Sequence, residues 1–338
     1  MNEKLTTIAV DAMGGDNSPY KALKGAEIFS KKNSNIKIIF FGNSSLIKET
    51  LLANNIEIKN FDIIHTFNNI KNDDTANIII RKRKESSIYQ GLSFIKDNEK
   101  SGFVSAGNTG ALMILSRLLL GMINGIDRPA ICSIIPNITN FSIMLDLGAN
   151  TSVGAKNLFE FALMGYSYHS LVKPEIKAKI GIINIGTEDN KGLEFLKEAN
   201  DLISSSFLKD YYIGFIEPNK ITSDNCNIMI SDGYTGNIML KTAEGMSGFI
   251  TKNLKNVFIK SLKNKIAFKI VENDLKIFKD QINPEKYNGA SFMGVNGVSI
   301  KSHGNATPYA FSCALERCLN FVDNNINQQI RNNILNSL

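Results

Sequence analysis

The chain has no tryptophan, three histidines, seven prolines and four cysteines among its 338 residues. Cys132, Cys226, Cys313 and Cys318 show no C-x-x-C spacing, so free thiols in a reducing, cytoplasmic compartment are expected. A long hydrophobic run is also missing. The longest apolar stretch, residues 111–123, is interrupted by Arg117 and is too short to span a bilayer. The opening "MNEKLTTIAV" lacks the apolar core of a signal peptide. Integral membrane insertion is therefore not expected, while attachment to a membrane surface stays open. Glycine is plentiful at 25 residues, yet no two are spaced G-x-G, which removes the dinucleotide fingerprint. The absence of a Gly-Lys dipeptide removes the P-loop, and the absence of G-x-S-x-G removes the nucleophile elbow. The net charge of +6 is mild. It permits an acidic protein partner or an anionic membrane and gives no argument for nucleic acid.

What is present is an alternation of short apolar runs with longer helical patterns. Residues 6–12, 36–42, 101–107, 141–148, 179–186, 211–217 and 226–233 read as buried strands. Helical periodicity falls between them, over 151–165, 192–206 and 236–258. That order predicts a mostly parallel α/β sheet covered on both faces. No Pro/Gly-rich linker divides the chain, so residues 1–338 are expected to form a single domain. Ser18-Pro19 and Thr307-Pro308 each read as an N-cap followed by proline in the first turn, the second opening the last helix. Residues 245–287 form an excursion with no glycine between Gly248 and Gly289. Ile250, Leu254, Val257, Phe258 and Leu262 recur at helical spacing, and Lys252, Lys255, Lys260 and Lys263 fall largely elsewhere. This predicts a protruding amphipathic hairpin that serves an oligomer interface, an anionic membrane surface, or both, with the interface favoured.

Three strand–helix junctions resemble one another: "SAGNTGAL" (105–112), "DLGANTSVGA" (146–155) and "SDGYTGNIML" (231–240). Glycine permits close approach of a ligand, Asn and Thr offer hydrogen bonds, and a helix start presents free N–H groups. On one carboxyl edge of a parallel sheet the three would make an anion site. The run "VDAMGGDNSP" (10–19) poses a problem of sign, because Asp11 and Asp16 flank the Gly14-Gly15 pair where a phosphate loop would carry no acid. Turns and caps explain Asp11, Asp16, Asp146 and Asp232 as well as a metal does, and no His/Cys/carboxylate cluster has metal-ligand spacing. His65 and His169 read as structural; His303, just ahead of a capped helix, is the better candidate for a site. The basic run "RKRKESS" (81–87) reads as a solvated helix face or a patch for an acidic partner.

The segments "VDAMGGD", "SAGNTGAL", "RPA", "DLGAN", "NIG", "DGYTGN", "LKTAEG", "GVNGV" and "HG" occur in the order found in bacterial phosphate acyltransferases, which the chain resembles from residue 8 to about 315. The resemblance implies a three-layer α/β/α fold of the isopropylmalate-dehydrogenase kind. It also implies transfer of a long-chain acyl group from acyl carrier protein to inorganic phosphate, without a cofactor. The product would feed a membrane glycerol-3-phosphate acyltransferase, and the enzyme would be a cytoplasmic homodimer peripherally attached to the membrane. For that reaction Asn108, Asn237, Lys241 and His303 are the expected catalytic donors. Gly107, Thr109, Gly110, Gly148, Asn150, Thr235 and Gly236 are the expected phosphate-binding positions, and Asp11, Gly14, Gly15 and Asp16 a supporting loop. Three residues depart from the family pattern: Pro218, Asn288 and Ser291. Competing readings are a short-chain phosphate acetyl- or butyryltransferase using coenzyme A, an NAD-dependent dehydrogenase, and a non-enzymatic scaffold for acyl carrier protein.

Overall fold

The computed structural model describes residues 5–70, 74–82 and 84–337. The first half of the chain runs β1 (Thr7–Asp11), α1 (Tyr20–Ser30), β2 (Lys37–Gly42), α2 (Ser44–Ala53), β3 (Phe61–His65), α3 (Ala76–Lys82), α4 (Ser87–Asp97), β4 (Ser101–Ser105) and α5 (Thr109–Leu120). Next come β5 (Ala130–Pro136), β6 (Phe141–Leu145), α6 (Ala155–Val172), β7 (Ile180–Ile183), α7 (Glu194–Ser204), β8 (Tyr212–Ile216) and β9 (Ile228–Ile230). The remainder is α8 (Gly233–Ile259), α9 (Leu262–Ile270), α10 (Glu272–Gln281), β10 (Ala290–Met293), β11 (Val298–Lys301), α11 (Pro308–Asp323) and α12 (Ile326–Leu335). All seven expected strands form.

The strands pair in one sheet of order β3-β2-β1-β4-β11-β10-β5-β6-β9-β7-β8. Side chains alternate across it. Ile8 and Val10 of β1 lie in one buried cluster with Leu23 and Phe311 on one face, while Ala9 lies with Leu92 and Leu112 in the cluster on the other. Burial on both faces is what makes the strands near-continuous apolar runs. The result is a three-layer α/β fold with a mostly parallel sheet.

One feature of the sheet departs from the sequence expectation and decides where the site lies. Strands β3, β2, β1, β4 and β11 are mutually parallel. Strand β10 runs antiparallel to both β11 and β5, and β5 is antiparallel to β6. Strands β6, β9, β7 and β8 are again parallel to one another. Three reversals in a row leave the two parallel halves pointing in opposite directions. The three glycine-rich junctions therefore do not share one carboxyl edge: the one after β4 lies at one edge, and those after β6 and β9 at the opposite edge.

Helix starts differ in detail from expectation. Thr307 accepts the Ala310 N–H at 3.2 Å with Pro308 in the first turn, as predicted, but α12 still follows α11. Pro19 itself occupies the cap position of α1, and the Ser18 hydroxyl donates instead to the Gly14 and Gly15 carbonyls. The helix entering the excursion begins at Gly233 and runs through Gly245 without a break. Helices α9 and α10 bury no side chain. Among the described residues no helix is long and apolar enough to cross a membrane.

Candidate active site

The carboxyl ends of β1, β4 and β11 meet at one edge of the sheet. Asp11 closes β1 and is buried. Its Oδ2 accepts the Ser105 hydroxyl at 2.7 Å, its Oδ1 accepts the Met13 N–H at 3.0 Å, and the Ser87 hydroxyl also donates to it. Burial raises its pKa and these donors oppose the rise. Ser105 in turn accepts the Gly107 N–H at 2.9 Å, so one carboxylate ties the β1 and β4 turns together.

Glycine is required at both positions of the pair. A Cβ on Gly14 would lie 2.4 Å from Asp11 Oδ2 and 2.5 Å from the Gly107 nitrogen. Gly15 has φ +77°, and a Cβ there would lie 2.6 Å from Lys21 Nζ. Lys21, on α1, is buried beneath this turn and donates to the Gly304 carbonyl at 2.5 Å. The same carbonyl accepts the Asp16 N–H at 2.8 Å, which locks the β11–α11 turn to the β1–α1 turn. Burial pushes the Lys21 pKa down, while Asp16 and then Asp11 hold it up. The two acids of the opening run thus offset part of the charge of a buried lysine.

A polar cavity of about 650 Å³ opens above this floor, lined by Asp11, Gly14, Gly15, Asp16, Gly107, Asn108, Thr109, Gly110, Lys301 and Gly304 among others. Asn108 caps α5, its Oδ1 accepting the Ala111 N–H at 2.8 Å. Lys301 closes β11 in register with Ser105 and donates to the Ser302 carbonyl. Burial first, and then Lys21, lower its pKa to about 8. Neither Lys21 nor Lys301 was among the residues singled out from sequence. The one available signal was a lysine closing the short run Val298-Ser299-Ile300 of β11.

A second, larger cavity of about 1020 Å³ adjoins the first. Its walls are largely apolar, with Ile131 and Ile135 of β5, Leu147, Ile221, and Leu240, Met246 and Ile250 of α8. Helix α8 starts at the far edge of the sheet and brings Asn237, Lys241 and Glu244, one helical face, into this cavity. Lys241 pairs with Glu244 at 2.7 Å, and Glu244 Oε1 lies 3.9 Å from His303 Nε2. Partial burial lowers the His303 pKa against the pull of Glu244. Thr109 and Lys301 line both cavities.

The other expected positions stand apart. Asp146, buried at the opposite edge, accepts N–H groups from Ile131, Gly148, Ala149 and Asn150, and the Asn150 amide at 2.9 Å. Asn150 also donates to the Pro129 carbonyl. Thr235 is bonded to Asp232 through both its N–H and its hydroxyl. A Cβ on Gly236 would lie 1.9 Å from the Asp146 carbonyl oxygen. Gly148, Asn150, Thr235 and Gly236 line neither cavity; they seat the start of α8 on the β6 loop. Among the described residues no group of three His, Cys, Asp or Glu side chains is placed to hold a metal ion.

The departures from the family pattern have local accounts. Buried Asn288 donates to the Ser302 hydroxyl and the Ala310 carbonyl and accepts the His303 N–H at 3.0 Å, fixing the loop that carries His303. Ser291 sits in β10 between Cys132 and Ile300. Pro218 opens a short 3-10 turn, where its fixed φ is compatible. Of the basic run 81–87, Arg83 lies outside the described residues.

The fold is similar to that of a phosphotransacetylase from Streptococcus pyogenes, with TM-score 0.63, 15% identity and 95% of each chain covered. A Staphylococcus aureus phosphotransacetylase matches with TM-score 0.60 at 13% identity, over 96% of this chain and 94% of that one. In sequence, the chain is 39% identical to the phosphate acyltransferase of Pelagibacter ubique, over 98% of this chain and 99% of the relative. It is 36% identical to that of Clostridium tetani, over 97% and 98% respectively. Residues 6–329 match the model of a family described as "Fatty acid synthesis protein". By these matches the chain belongs to the phosphate acyltransferase family and is an enzyme of that family.

Proposed function

We propose that this enzyme transfers a long-chain fatty acyl group from acyl carrier protein to inorganic phosphate, and that a membrane glycerol-3-phosphate acyltransferase consumes the acyl phosphate. The observation that carries this reading is the meeting of a small polar cavity and a large apolar one at Thr109 and Lys301. Phosphate occupies the first, held by Lys301, the first-turn amides of α5 and the Gly14-Gly15 turn. The acyl chain occupies the second, with its thioester carbonyl at the boundary.

Phosphate is substantially dianionic near neutral pH and is already nucleophilic, so the chemistry asks mainly for position and charge. A phosphate oxygen bonds to the carbonyl carbon, the C–S bond breaks, and the proton left on phosphate passes to the departing thiolate. Holding the reactants about 3 Å apart supplies several kcal/mol of the barrier. Asn237, Lys241 and His303 lie around the cavity where the developing oxyanion needs donors, each of which is worth about 3 kcal/mol. The exposed arm of α8–α10 serves homodimer contact or an anionic membrane surface.

The test is to incubate the purified protein with phosphate and either palmitoyl-acyl carrier protein or acetyl-coenzyme A, and to trap acyl phosphate with hydroxylamine. Product from the palmitoyl donor alone is expected. Product from acetyl-coenzyme A alone would make it a short-chain enzyme, and none from either would overturn the reading.

A further inference from the structure

We infer that Met246, Ile250 and Phe278, at the outer end of the apolar cavity, set the length of acyl chain the enzyme prefers; this rests on the acyl-transfer reading above. The cavity is lined by α8 and by the return from α10 to β10, through Phe278, Ile282 and Tyr287. From Glu244, 3.9 Å from His303, to Ile250, α8 rises a further ~9 Å, so the wall runs outward from the reacting end for about half the length of an extended palmitoyl chain. Along it the lining changes in kind. Lys241 and Glu244 stand near His303, whereas Met246 and Ile250 are apolar and half-exposed and line the cavity together with Phe278 of α10.

These three large side chains line a cavity continuous with Thr109 and Lys301 and yet remain 52%, 51% and 42% exposed. A fatty chain anchored at the boundary is the occupant whose shape and chemistry complete that surface. An acetyl or butyryl group held beside His303 is shorter than the rise from Glu244 to Ile250 and ends before it. Each further methylene buried strengthens binding about fourfold, so the point at which the wall is blocked translates directly into chain preference.

The experiment compares kcat/KM for decanoyl-, palmitoyl- and stearoyl-acyl carrier protein in the wild type, Met246→Trp, Ile250→Trp and Phe278→Ala, with phosphate saturating. Filling the outer end with Trp lowers the palmitoyl-to-decanoyl ratio by roughly tenfold, and Phe278→Ala moves the ratio of stearoyl to palmitoyl upward. Half-exposed positions on the arm tolerate these changes without unfolding, and thermal melts of all four proteins check it. Ratios within twofold of wild type in all three variants overturn the inference while leaving acyl transfer standing. A wild type that forms no acyl phosphate from any of these donors overturns the underlying reading instead, and the inference with it.

Discussion

Lys301 links the electrostatics of the site to its chemistry. Its burial beside Lys21 lowers its pKa to about 8, so it is protonated at neutral pH and loses its charge as pH rises past that value. If it holds phosphate, kcat/KM for phosphate falls above about pH 8. Lys301→Arg, whose guanidinium does not titrate in this range, removes that limb; an unchanged profile in the Arg variant would reject the assignment. The linkage to stability has the opposite sense. A lysine whose folded pKa is depressed releases its proton first in the folded state, so folding gains stability as pH rises from about 8 and bears the charge-burial penalty below it. Lys301→Met is therefore expected to stabilise the protein by roughly 1 kcal/mol at pH 7, read from urea midpoints, while abolishing use of phosphate. Asn108 and Asn237 separate in the same manner. Asn108→Ala removes a cap worth about 1 kcal/mol as well as lining the polar cavity, whereas Asn237→Ala lowers kcat by about a hundredfold with an unchanged melting midpoint. The Asn–Thr–Gly junction at 108–110 was legible in the sequence because cap chemistry is local. Lys21 and Lys301 were not, since a lysine on α1 and another on β11 acquire their meaning only when β11 pairs beside β4.

At the scale of elements, every strand expected from an apolar run formed, because burial on both faces leaves so plain a mark. The strands missed were β3, β5, β10 and β11, which are short, polar at intervals, or interrupted by Ser. Missing β5 and β10 hid the reversals between the two halves of the sheet, and so placed three similar junctions on one edge. The "DGYTGN" junction shows how the same residues serve another end. Its glycines let α8 press onto the β6 loop, and a Cβ at Gly236 would meet the Asp146 carbonyl at 1.9 Å. Gly236→Ala should destabilise the protein by roughly 3 kcal/mol and displace Asn237 from the cavity with it. Gly245→Ala, on the same helix with nothing within 4 Å, should instead stabilise by up to about 1 kcal/mol. Paired urea unfolding curves check both, and equal effects of the two changes would mean that α8 is not seated as described.

At the scale of the whole molecule, the arm of α8–α10 is what the sheet does not account for. Between residues 245 and 271 the sequence carries Lys252, Lys255, Lys260, Lys263, Lys265 and Lys269 and no acidic residue. The same stretch exposes Phe249, Val257, Leu262, Ile266 and Ile270, an apolar surface that a soluble monomer would not keep open without use. Contact with a second protomer and contact with an anionic membrane draw on these two features differently. An apolar protomer interface is little weakened by salt, whereas attachment through lysines to anionic headgroups weakens steeply as the Debye length shrinks. Leu262→Glu with Ile270→Glu removes two side chains exposed by more than three-quarters and adds charge of the wrong sign for an anionic surface. Binding to phosphatidylglycerol vesicles in cosedimentation should fall by at least about tenfold, since each such side chain is worth over 1 kcal/mol when buried. Because α9 contributes to neither cavity, acyl phosphate formation in solution should persist in this variant. Self-association of the wild type in sedimentation that the double variant loses, with vesicle binding intact, would assign the apolar face to a protomer contact and leave the lysines alone to meet the membrane.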